Sequence, residues 1–108
     1  MEIKFHKELA LGKWFKLSLA QQMANIGSEV SRTRRWKEKD DKIFKNTADR
    51  ALELFDLTLE DPRWKGRRLE IARAREVFCD ALFEGENYGS SLESLEHYFL
   101  PFAFLSRK

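Results

Sequence analysis

The stretch SLAQQMANIGSEVS, residues 18–31, decides how this chain is to be read. It opens with the hydroxyl of Ser18, followed three residues later by the amide of Gln21. Such a pair can satisfy two free backbone N–H groups at a helix start as a capping box. Leu19, Met23, Ile26 and Val30 then recur at helical spacing and form one apolar stripe. A second stripe, Ala20, Ala24, Gly27 and Ser31, holds only small residues. Glycine inside a helix costs roughly 1 kcal/mol of propensity, so Gly27 has a structural reason to be there: its face lets a neighbouring helix come close.

Three more helices follow the same logic downstream. Helix two is expected over Asp41–Glu60, with Phe44, Ala48, Ala51, Phe55 and Leu59 inward and an acidic row of Asp49, Glu53, Asp56 and Glu60 on its outer face. Carboxylates four residues apart repel by a few tenths of a kcal/mol, so the row is either solvated or answered by cations elsewhere. Asp61 and Pro62 mark the next start, where aspartate caps and proline occupies the first helical position. Helix three should turn Ile71, Ala74, Val77, Phe78, Ala81 and Leu82 inward and Arg73, Glu76 and Asp80 outward. It begins nearer Arg67 because of Gly66, and it ends at Gly85. Ser90 with Glu93 offers another capping box, and Leu92, Leu95, Phe99 and Phe102 form the inward face of helix four. Pro101 should kink or end that helix, while Leu100 and Phe104 fall off its core stripe and suggest a subunit contact.

These stripes are all buried most simply by an all-α, single-domain, up-and-down antiparallel four-helix bundle over residues 17–108. Residues 1–16 are read as an N-terminal arm partly docked through Trp14 and Phe15. The 108-residue length suits one domain, and only two prolines and five glycines interrupt a chain that is 35% charged. The single Cys79 and the lack of a signal-like start lead us to expect a cytoplasmic protein. The longest apolar run, residues 98–105, is far shorter than the roughly 20 residues that cross a membrane.

No catalytic or metal-binding signature is present. His6 and His97 are the only histidines and neither follows a Glu-x-x-His pattern; Cys-x-x-Cys, P-loop and Gly-x-Gly-x-x-Gly motifs are missing. Cys79 reads as a packing residue rather than a nucleophile. We therefore expect no enzyme, no cofactor and no metal. Asn25, Glu29, Arg32 and Trp36 make a row along helix one that is open to two readings, a polar ligand groove or a plain Glu29–Arg32 pair under Trp36.

What remains is the banding of charge. In an antiparallel bundle the end of helix one and the start of helix three lie at opposite poles. The first pole carries Arg32, Arg34, Arg35 and Lys37 with Trp36; the second carries Arg63, Lys65, Arg67 and Arg68 with Trp64. Cations at a helix C-terminus complement its dipole, whereas cations at an N-terminus oppose it. The second cluster thus points to an anion from outside, since arginine grips phosphate bidentately and tryptophan stacks on unpaired bases. Two other readings stay open. The acidic row Asp49, Glu53, Asp56 and Glu60 could neutralise the cluster, within one chain or in a homo-oligomeric scaffold to which Leu100 and Phe104 add apolar contact, or the turn is simply solvated.

At NIGSEV (25–30), RALELFDLT (50–58), DPRW (61–64) and AREVFCD (74–80), the chain resembles a family of small, mostly uncharacterised microbial helical proteins, over residues 14–103. In size and layout it also resembles, more distantly, the four-helix bundles encoded in ribosomal RNA intervening sequences and the accessory variability determinant of diversity-generating retroelements. That resemblance implies closed homo-oligomers with basic surfaces and, for the accessory protein, nucleic-acid and reverse-transcriptase partners. It carries no individual binding residue across. The expected function is non-enzymatic nucleic-acid binding, RNA as partner, with the homo-oligomeric interaction module as the alternative.

Overall fold

The computed structural model describes residues 12–83, 89 and 91–107, and among these every regular element is helical. Four helices pack against each other: α1 (Leu19–Trp36), α2 (Asp41–Glu60), α3 (Arg68–Leu82) and α4 (Leu92–Leu105). A 3-10 turn, Trp14–Lys16, precedes α1, and a 3-10 segment, Pro62–Arg67, joins α2 to α3. The helix starts follow capping chemistry. Ser18 Oγ accepts the Gln21 N–H at 3.1 Å while Gln21 Oε1 accepts the Ser18 N–H at 2.9 Å, and Asp40 Oδ1 accepts from the Ile43 N–H at the start of α2.

α1 is the hub, packing most extensively on α2 and α4, while α3 and α4 meet only lightly. The contact with α4 depends on the small stripe. A Cβ on Gly27 would lie 2.7 Å from Phe99 Cβ, so only glycine lets the two backbones approach this far. The centre of the core is aromatic. Phe55 of α2 stands 5.9 Å from Phe78 of α3 and 6.1 Å from Phe99 of α4 between ring centroids, and all three are buried.

Several local expectations are corrected. Glu53 is not on an outer face; it is buried, as is neighbouring Leu57, because α2 touches the Trp14 turn as well as α1 and α3 and its buried arc is correspondingly wide. Asp80 leaves the outward stripe of α3 and is buried, held by a further interaction. Pro62 opens the 3-10 segment rather than α3, which starts at Arg68 and closes at Leu82; Gly85 lies outside the described residues. Ser91 and Ser94, not Ser90 and Glu93, form the capping box of α4. Pro101 does not end α4, which continues through it to Leu105. No helix among the described residues is long and apolar enough to cross a membrane.

Candidate nucleic-acid interface

The segment DPRWKGRR is built around a buried carboxylate. Asp61, 1% exposed, follows the last turn of α2 and caps the 3-10 segment, its Oδ1 accepting the Arg63 N–H at 3.0 Å. The Arg63 guanidinium folds back on the same carboxylate, with Nη2 donating to Oδ2 at 2.7 Å and Nε to Oδ1 at 3.0 Å. Gln22 of α1 adds a second donor to Oδ2, its Nε2 donating to Asp61 Oδ2 at 3.0 Å and to the Trp14 carbonyl at 2.9 Å. Gln22 Oε1 in turn accepts the Trp64 indole N–H at 2.7 Å, and Trp14 donates its own indole N–H to Thr58 Oγ1 at 3.1 Å. Hydrogen bonding from the Arg63 side chain holds the Asp61 carboxyl below its ordinary pKa, outweighing the opposing effect of burial.

This network divides the cluster. Arg63 also donates to the Leu17 carbonyl at 2.6 Å and lies 4.4 Å from the centroid of the Trp64 ring, so its charge and one face of that indole are used inside the chain. Trp64 is half-buried with its N–H taken, which leaves it poorly placed to stack on a base. Lys65, Arg67 and Arg68 are exposed; Arg67 reaches Glu70 at 3.2 Å, an exposed pair of small energetic weight. The fold adds one cation that the sequence reading did not assign. Lys16 is exposed in the Trp14 turn, next to the Leu17 carbonyl that Arg63 grips, and so joins the same end of the molecule.

The end of α1 is arranged differently. Arg32 pairs with Glu29 at 3.0 Å, and Arg34 forms an ion pair with Glu96 of α4. Arg35 is exposed and Trp36 is 36% exposed, whereas Lys37 is half-buried and engaged. Glu29 thus follows the local-pair reading, with one difference. It is buried, and its second oxygen, Oε2, has no hydrogen-bond partner among the described residues.

The acidic row of α2 is dispersed. Asp56 is spent on Arg75 of α3, at 2.9 Å to Nε, Glu53 is buried, Asp49 is half-buried, and Glu60 is exposed. Leu100 and Phe104 are both solvent-facing, at 51% and 60% exposure. Cys79 is half-buried on α3 with the Arg75 guanidinium 3.9 Å from its sulfur. Among the described residues no three His, Cys, Asp or Glu side chains gather as a metal site. Comparison with family models, curated proteins and solved structures finds no match to the chain.

Proposed function

We propose that this chain is a non-enzymatic nucleic-acid-binding protein whose helices run up and down as an antiparallel bundle and whose ligand is RNA. The bundle arrangement is supported by pairs that join helix ends: Arg34 late in α1 with Glu96 early in α4, and Gln22 early in α1 with Trp64 after α2. The binding reading rests on one observation. Lys16, Lys65 and Arg68 are exposed together at one end with no ion pair among the described residues, Arg67 beside them shares Glu70, Asp61 is matched by Arg63, and against these cations stands the exposed Glu60. An excess of cations with no internal purpose attracts a polyanion. Arg35 and Trp36 at the far end of α1 add a second contact, with Trp36 the tryptophan available for stacking on an unpaired base.

Fluorescence anisotropy of labelled single-stranded and hairpin RNAs, with DNA of the same sequences, tests the reading across a salt series. We expect affinity to fall steeply with ionic strength. Each phosphate contact on a single strand contributes a slope of about −0.7 in log K against log salt. The Arg67→Glu, Arg68→Glu double variant should bind at least about tenfold more weakly, with that slope flattened by about 1.4. Absence of binding at low salt, or an unchanged double variant, removes this function. Equal binding of DNA reassigns the ligand.

A further inference from the structure

α4 is apolar on more sides than its own core uses. No charged residue falls between His97 and Arg107, and while Leu92, Leu95 and Phe99 are buried, Leu100, Pro101, Phe104 and Leu105 face solvent. A helix that is apolar nearly all round needs cover on its second side. The outer residues are ordered. Glu93, His97, Leu100 and Phe104 on α4, and Arg107 in the turn that continues just past its end, follow one another at steps of four, three, four and three, and all five are exposed. That alternation averages 3.5 residues and draws a straight seam along a helix, the pattern by which two helices lie side by side.

The seam is also symmetric in charge. Leu100 stands at its centre, with Glu93 seven residues before it and Arg107 seven residues after. From these positions we infer that α4 is the contact between two copies of this chain, paired antiparallel about a two-fold axis through Leu100. In that register Glu93 of each copy faces Arg107 of the other, and His97 comes within one residue of the level of Phe104. A parallel pairing sets like charges against each other at both ends. A surface complementary to its own two-fold image is the signature of an isologous dimer. A groove of about 230 Å³ runs beside the seam between α1 and α4, lined by Ala24, Gly27, Ser28, Leu100 and Ala103 among others. Its small side chains leave a hollow for the ring of Phe104 from the second copy, once on each side of the axis. The contact lies along α4 and uses neither Lys65, Arg67 nor Arg68.

Sedimentation velocity over a concentration series tests it, with circular dichroism confirming that each variant is folded. The parent chain should pass from monomer to dimer, and Leu100→Glu should remain monomeric throughout. Glu93→Arg alone and Arg107→Glu alone should each weaken the dimer about tenfold, since each replaces two attractive pairs by two repulsive ones. The double swap Glu93→Arg with Arg107→Glu should restore parental association, a result that general apolar stickiness cannot produce. A parent that stays monomeric at every concentration overturns the inference. So does an assembly indifferent to Leu100→Glu, or one that the double swap fails to rescue.

Discussion

Replacing Asp61 by alanine is expected to lower the unfolding free energy by about 3 kcal/mol, read as a shifted midpoint in urea with an unchanged slope. The side chain is buried and does several things at once. It caps the 3-10 segment through the Arg63 N–H, anchors Gln22 of α1, and neutralises Arg63. Hydrogen bonds to a charged group contribute about 1.5–3 kcal/mol each, and a lost cap costs about 1 kcal/mol. The sum is discounted because Arg63 keeps 39% side-chain exposure and its bond to the Leu17 carbonyl, so the stranded cation is partly solvated. The Asp61 pKa is lowered from 3.8 in the folded chain, so the stability it contributes is present above that value and is lost as pH falls through the lower folded one. The Asp61→Ala variant should therefore lose part of the parent's sensitivity to acid below about pH 4. A midpoint within error of the parent would mean that the network spanning α1, α2 and the 3-10 segment carries no net stability.

Enlarging Gly27 should do comparable damage by another route. Alanine there gains about 1 kcal/mol of helix propensity, yet its Cβ would sit 2.7 Å from Phe99 Cβ, an atom fixed to the backbone of α4. One of the helices must shift, and overpacking of this kind costs about 1–3 kcal/mol. The clash should win. Gly27→Ala is expected to lose about 1 kcal/mol net, a fall in melting temperature of about 4–8 °C for a chain of this size. Gly27→Leu should lose about 3 kcal/mol or more, since α1 and α4 can no longer close. A Gly27→Leu chain that melts like the parent would show that the close approach of the helices is dispensable.

Gly27 illustrates what sequence reading reaches in this chain. The small stripe, the Ser18–Gln21 box and the span of α2 all follow from local chemistry, and the structure has them as expected. The failures share a cause. Gln22, Glu29 and Thr33 alternate with Ile26 at steps of three and four, so polar residues sit in a buried row where an apolar pattern search does not look. Gln22 is fully buried because its amide bridges Asp61, the Trp14 carbonyl and Trp64, partners 8 to 42 residues away in the sequence. The same distance hid the fate of DPRWKGRR. Its Arg63 and Trp64 read in sequence as part of a pole open to an outside anion, and only the fold brings the Leu17 carbonyl and Gln22 within reach of them. Glu53 was misjudged because a row of carboxylates at helical steps looks like a solvent face whatever the neighbouring elements cover.

The dependence of α1 on both α2 and α4 has a consequence for the order in which the chain is made. More than fifty residues separate Trp36 from Leu92, and a ribosome adds about 5–20 residues per second. α1 can dock on α2 as soon as the latter emerges, but the Gly27 flank must wait a further few seconds for its remaining partner to be synthesised. During that interval Phe55 of α2 still awaits Phe78 and Phe99, but the flank of α1 that will receive α4 presents a shallow face of Ala20, Ala24, Gly27 and Ser31 rather than large apolar side chains. The small stripe that admits a close neighbour in the finished fold is thus also a surface with little for chaperones or other nascent chains to hold while the C-terminal helix is still being translated.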